Sequence, residues 1–257
     1  MTTRNIHGVG PVRELVRARP KAIRVLYVAV ERAEARGKDP VAALAADAAA
    51  AGVTVERRAQ RELDALCEPG ARHQGVVAVT GEFRYADLGQ LLAAAAAAGV
   101  PPLVVVLDGV QDPHNLGAIV RSAYVLGAHG VVIPEHRAAA ITPATTKASA
   151  GATELLPIAL AKNLVRALEE LKAAGLWTCA VAAAPSARPI ATLDLAGPLA
   201  LVLGGEGEGV RTLVARTCDM HALIPMAAAG VGSLNVSVAA GIALYEVARQ
   251  RAARAGS

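Results

Sequence analysis

Three stretches of this chain set amide, carboxylate, hydroxyl and guanidinium side chains among glycines. In Asp112-Pro-His-Asn-Leu-Gly-Ala-Ile-Val-Arg-Ser-Ala123, Asn115 and Arg121 stand six residues apart at the start of one expected helix. That is less than two turns, so the two side chains do not share a ridge. Arg121 follows Ala118-Ile119-Val120, which predicts a partly enclosed guanidinium with a partner such as Glu206 or a phosphate. A buried ion pair joining two loops would satisfy the same pattern. The second stretch is Gly204-Gly-Glu-Gly-Glu-Gly209. It is not a dinucleotide fingerprint, because Glu206 and Glu208 fall where a pyrophosphate needs amide donors and no negative charge. Nor does it end in the Lys-Ser/Thr of a P-loop. Close backbone approach to a neutral or cationic ligand fits better, and a sulfonium such as S-adenosylmethionine has that character. The third holds Ser233 and Asn235 just before a helix, where both types are ordinary capping residues. Asp108 and Asp112 flank Gly109 and read as turn formers. No Ser–His–Asp arrangement, metal-ligand cluster or nucleophilic cysteine emerges.

Each stretch follows a short apolar run. In parallel α/β sheets the loops leaving the carboxyl ends of strands form the ligand crevice, so all three could meet in one site. Expected strands are Leu103–Leu107, Gly130–Ile133, Leu155–Ala159, Trp177–Ala182, Leu199–Leu203 and Met220–Ile224. Helices are expected between them at about Asn115–Leu126, Pro143–Ser149, Asn163–Ala174, Val210–Thr217 and Asn235–Arg251. Continuous apolar strands alternating with helices predict an α/β fold with a buried, mostly parallel sheet. The last helix is apolar on nearly every side and must be covered on every side. One face is expected on its own sheet and another on a second subunit, making a homodimer.

Residues 1–80 read as a smaller α/β unit, 81–102 as a linker and 103–257 as the main domain. The small unit holds a basic helix at Pro11–Arg19, strands at Ala22–Val30 and Val76–Val79, and an alanine-rich helix at Pro40–Ala51 ended by Gly52. His73 and Gln74 sit in a loop, where solvent or backbone hydrogen bonding is the plainer reading. Residues 1–84 hold 14 Lys+Arg against 10 Asp+Glu, whereas residues 85–257 hold 12 of each. Arg13, Arg17, Arg19 and Arg24 concentrate the excess, which predicts a polyanion grip beside a neutral catalytic body. Apolar content is 54%, yet no run approaches a membrane span, and the start of the chain lacks the apolar stretch of a signal peptide. Cys67, Cys179 and Cys218 are far apart and not in metal spacing, as expected in a reducing cytoplasm with no structural metal.

Taken together, the three loops resemble the signature motifs of the TrmH/SpoU family of RNA ribose 2′-O-methyltransferases, the trefoil-knotted SPOUT class. The matching residues are Asp112–Ala123, Leu201–Gly209, and Ile224–Met226 with Ser233–Ala240. The resemblance covers about residues 103–251. Ile6-His-Gly8 and His73-Gln-Gly-Val76 also resemble the N-terminal domain of the bacterial subgroup that methylates a guanosine of 23S rRNA. It implies a knotted C-terminal methyltransferase domain with a parallel sheet, preceded by a small ribosomal-protein-L30e-like RNA-binding domain. It implies S-adenosylmethionine held by Gly204, Ile224 and Leu234. It places the family's functional residues on Asn115, Arg121, Glu206, Ser233 and Asn235, with Arg121 acting at the ribose hydroxyl and Asn115 and Glu206 holding its guanidinium. The implied partner is RNA, rRNA first. A tRNA ribose methyltransferase, a 23S rRNA resistance enzyme and a non-catalytic RNA-binding protein on the same fold are the alternatives.

Overall fold

In the computed structural model, residues 3–33, 39–182, 184–227 and 233–255 are described. The elements run β1 (Arg4–His7), α1 (Val9–Ala18), β2 (Ile23–Ala29), α2 (Val30–Ala33), α3 (Pro40–Ala50), β3 (Val55–Arg58), α4 (Gln60–Ala65) and β4 (Val76–Thr80). There follow α5 (Leu88–Ala97), β5 (Leu103–Asp108), α6 (Pro113–Val125), β6 (Gly130–Pro134), α7 (Pro143–Ala148), β7 (Ile158–Ala161) and α8 (Leu164–Ala173). Last come β8 (Trp177–Val181), β9 (Arg188–Pro189), β10 (Leu199–Gly204), α9 (Thr212–Thr217), β11 (Met220–Leu223) and α10 (Val236–Ala255). The chain forms two compact units, residues 1–84 with 140–155, and residues 85–139 with 156–257.

The first unit is a four-stranded sheet in the order β1-β4-β2-β3. α1 buries Pro11, Val12, Leu15 and Val16, and the last three join Ile6, Leu26, Leu44 and Val76 in one core. α3 begins at Asp39, whose carboxylate accepts from the Val41 N–H at 2.7 Å, with Pro40 preset for the first turn. His73 is buried, accepting from the Gly75 N–H at 3.0 Å and bonding Asp64 at 3.0 Å. Gln74 Oε1 accepts from the Val9 N–H at 3.0 Å, so this loop ties α1 to β4. The edge strand β1 was not expected.

Residues 140–155 pack in this first unit, a difference from the expected division at residue 103. Arg4 Nη2 donates to Glu154 Oε1 at 2.7 Å and to Thr146 Oγ1 at 3.1 Å. Thr145, Thr146, Ser149 and Thr153 are fully enclosed. A Cβ on Gly151, whose φ is +93°, would press on the backbone of Pro11. The strand expected from Leu155 starts only at Ile158, because Ala152–Glu154 forms a single 3-10 turn and Pro157 has no N–H to give a ladder.

The second unit carries a seven-stranded sheet in the order β7-β6-β5-β10-β8-β11-β9, every pairing parallel. Its central strands are buried on both faces, so they read as unbroken apolar runs. Leu91, Val104, Val106, Leu168 and Val202 form a core on one face, while α10 packs on α6 and β10. The chain lays down β5, β6 and β7 outward in one direction, then returns to insert β10 between β5 and β8. Gly204 pairs in register with Asp108, so the loops after β10 and β5 leave the sheet side by side. That reversal of strand order is where a parallel sheet opens a crevice.

Candidate active site

α6 starts with Asp112, whose carboxylate accepts from the His114 N–H at 2.9 Å, and with Pro113 in the first turn. This start places Asn115 one turn in, buried and facing the neighbouring loop. Asn115 Nδ2 donates to Glu206 Oε1 at 2.7 Å. Asn235 Nδ2, from the residue before α10, reaches the same oxygen at 3.0 Å and Asn115 Oδ1 at 3.1 Å. Asn235 Oδ1 in turn accepts from the backbone N–H and hydroxyl of Ser237, at 2.9 and 2.6 Å, as a capping residue does. Three loops from three strands are thereby locked on one carboxylate oxygen, and among the described residues Oε2 has no partner.

The loop that carries Glu206 depends on its glycines. Gly207 and Gly209 adopt φ of 89° and 64°, a region costly for other residues. A Cβ on Gly204 would land on the backbone of Gly209 and Val210, and one on Gly205 on the carbonyl of Gly109. After β11, Ile224 is half-buried, while Met226 and Leu234, on either side of residues 228–232 in sequence, expose apolar surface. Ser233 is exposed.

Arg121 lies elsewhere. Its side chain is exposed, and among the described residues it has no hydrogen-bond or ion-pair partner. The expectation of an enclosed guanidinium held by Asn115 and Glu206 is corrected. Ile119 and Val120 turn into the core, and at about 100° per residue Arg121 falls past the buried arc onto the open side of α6. It shares that side with Tyr124 and Val125, both exposed.

Asp108 is not a turn former. Its enclosed carboxylate accepts from the Arg211 backbone N–H at 2.9 Å and from Arg211 Nε at 2.8 Å. Arg211 had no signal in the sequence, because its partner lies 103 positions away. Burial pushes the Cys179 and Cys218 thiols up to about 12, so neither is a thiolate at neutral pH. Among the described residues no group of His, Cys, Asp and Glu is arranged to hold a metal ion. In the first unit, Arg13 and Arg17 lie on α1, Arg19 follows it, and Arg24 is exposed on β2. Arg17 pairs with Glu14 at 3.6 Å and Arg19 with Glu154 at 3.6 Å. Arg19 and Arg24 join Arg4, Lys21 and Arg84 around a cavity of about 600 Å³, opposed by Glu82 and Glu154.

The SpoU rRNA Methylase family profile matches residues 102–245, and an RNA 2′-O ribose methyltransferase substrate-binding profile matches residues 6–86. The 23S rRNA (guanosine-2′-O-)-methyltransferase of Pseudomonas putida is 40% identical over 252 residues, covering 96% of each chain. That of Coxiella burnetii is 40% identical over 99% of this chain and 98% of its own. Among solved structures, the SpoU methyltransferase AviRb from Streptomyces viridochromogenes, in complex with the cofactor AdoMet, superposes with a TM-score of 0.77. That match has 26% identity and covers 98% of this chain and 91% of the other. The loops that meet at Glu206 all lie within the matched methylase region, and the chain belongs to the SpoU rRNA Methylase family, whose members use S-adenosylmethionine to methylate RNA ribose 2′-hydroxyls.

Proposed function

We propose that this protein methylates the ribose 2′-hydroxyl of a guanosine in 23S rRNA, as a cytoplasmic homodimer whose second unit is a trefoil knot. The observation that supports it most directly is the hydrogen-bonded meeting of Asn115, Glu206 and Asn235. A non-catalytic RNA-binding protein needs no such cluster. The knot reading is supported by β10 lying between β5 and β8. None of the helices among the described residues is long and apolar enough to cross a membrane, and the cytoplasmic reading is supported by the rRNA-methylating relatives. Mapping ribose methylation in 23S rRNA from a deletion strain tests the reading. Loss of a single guanosine methylation is expected; full 23S methylation with a missing tRNA mark would redirect it to tRNA.

The residues present suit the cofactor. The bare backbone at Gly204–Gly205 and the exposed side chains of Met226 and Leu234 offer an apolar cradle. The nearby Glu206 suits a sulfonium cation, and a loop carrying Glu206 and Glu208 would repel a pyrophosphate. Gly204, Ile224 and Leu234 would hold S-adenosylmethionine, which supplies the electrophilic methyl group. The protein's contribution is positioning. Asn115 and Asn235 orient Glu206, leaving its second oxygen to accept a proton or hydrogen bond from the ribose. Ser233 borders this point. Arg121 orients the hydroxyl or its neighbouring phosphate as a cation, since an arginine does not give up its proton.

In this structure Arg121 makes no contact with its own chain's cluster among the described residues. Tyr124 and Val125 on α6 and Val238, Ile242 and Tyr245 on α10 expose apolar surface on two helices that pack together. We assign that face to the dimer interface, which places Arg121 at its edge, facing a second copy's cluster. Ile242→Glu combined with Val238→Glu should convert dimer to monomer in sedimentation at micromolar concentration and remove methyl transfer. A dimer that persisted would place the interface elsewhere.

The first unit grips RNA through Arg13, Arg17, Arg19 and Arg24, to which the basic cavity adds Lys21 and Arg84. Neutralising Arg19, Lys21, Arg24 and Arg84 together should weaken RNA binding and flatten the salt dependence by up to about 3 in log–log slope. Neutralising only Arg13 and Arg17 should change the slope less, because two charges are removed instead of four. S-Adenosylmethionine affinity should be unchanged in both. An unaltered slope in the fourfold variant would move the grip away from this unit.

A further inference from the structure

The carboxyl ends of β5, β6 and β10 enclose a cavity of about 480 Å³ beside the asparagine cluster, within the size range of ligand pockets. Most of its charges are already committed. Asp108 is neutralised by Arg211, whose Nε and backbone N–H it holds, leaving the terminal nitrogens of that guanidinium for another acceptor. Glu206 gives one oxygen to the two asparagines. On the wall there remain Glu208, exposed and without a partner among the described residues, and Arg137. Arg137 has a φ of 60°, the left-handed region that non-glycine residues rarely adopt, and strain of this kind gathers at functional sites.

Among the described residues the uncommitted charged groups are therefore the Glu208 carboxylate, the second oxygen of Glu206 and the outer ends of two arginines, with Gln111 and His136 also on the wall. They suit a ligand with an anionic end and an edge of hydrogen-bond donors. A carboxylate only accepts. Guanine alone among the four RNA bases presents two adjacent donors, N1–H and N2–H, on its Watson–Crick edge, the edge by which splayed-out bases are read. We propose that this cavity receives the target guanine, that Glu208 accepts its N1–H and N2–H, and that Arg137 and Arg211 take the flanking phosphates. The proposal rests on the reading that a guanosine ribose is the substrate. It gives Glu208 a specificity role. Because Glu206 lines the same cavity, a base seated there leaves its ribose at the cluster.

The test uses the full-length dimer and two rRNA fragments, one with the target guanosine and one with inosine, which lacks the N2 amine. Wild-type enzyme should prefer guanosine by about 10- to 100-fold in kcat/KM, the range for a hydrogen bond to a charged group. Glu208→Ala should bring the guanosine rate down to that of inosine, with a ratio near one, while calorimetry shows S-adenosylmethionine bound as before. A variant that still separates the two templates as wild type does would overturn the assignment. So would a variant that loses cofactor affinity, because the cavity would then belong to the cofactor. Wild-type enzyme that ignores both fragments but methylates a tRNA would overturn the substrate reading itself, and this inference with it.

Discussion

Arg121→Ala is expected to lower methyl transfer by at least about 100-fold, the scale of removing a positioned catalytic group, with S-adenosylmethionine binding intact. The location of Arg121 adds a sharper result. It has no contact with Asn115 or Glu206 of its own chain and lies on the open side of α6 with Tyr124 and Val125. In a two-fold dimer each site would then combine one chain's cluster with the other chain's arginine. Mixing Arg121→Ala with Asn115→Ala and allowing subunits to exchange should restore about a quarter of wild-type activity. Half of the randomly mixed dimers are hybrids, and each hybrid carries one intact site. No recovery, with hybrids demonstrated by mass, would mean that Arg121 moves into its own cluster on binding RNA.

Gly204→Val should have the largest effect on stability. The sequence alone suggests that a side chain here would spoil the cofactor site and spare the fold. The structure corrects this, since the Cβ would strike the backbone of Gly209 and Val210 in the loop's own return. The cost should be about 3 kcal/mol or more, as for forced overpacking. That lowers the melting temperature by roughly 6–12 °C for a domain of this size, along with loss of S-adenosylmethionine binding. Gly197→Ala is the control, because a Cβ there meets nothing within 4 Å. Equal melting temperatures for the two variants would show that the loop has room to yield.

The three loops were legible because glycine, asparagine and a carboxylate after an apolar strand have few other uses. Their order along a parallel sheet foretold that they could meet. What escaped was set by partners distant in sequence. Asp108 looked like a turn residue until Arg211 closed on it. Arg121 looked enclosed because apolar neighbours in sequence are not neighbours around a helix. β1 was missed because only Ile6 and His7 of its four residues turn inward, too short a pattern to read. The membership of residues 140–155 was hidden for a different reason. Besides Ile141, Ala152 and Glu154, the side chains they bury are those of Thr145, Thr146, Ser149 and Thr153, too polar a set to carry an apolar periodicity.

Those residues also set an order of events during biosynthesis. β1 opens with Arg4, yet the carboxylate that receives its guanidinium, Glu154, is translated 150 positions later. At about 5–20 residues per second, roughly 4–14 s separate synthesis of residue 84 from that of residue 155. During that interval the leading segment is on the nascent chain without the pieces that complete it. By the time residue 155 emerges, β5, β6 and their connecting helix have also been made. The unit that carries the substrate-binding profile is therefore completed only after the parallel sheet has begun, and a leading fragment released early would lack residues that its own interior requires.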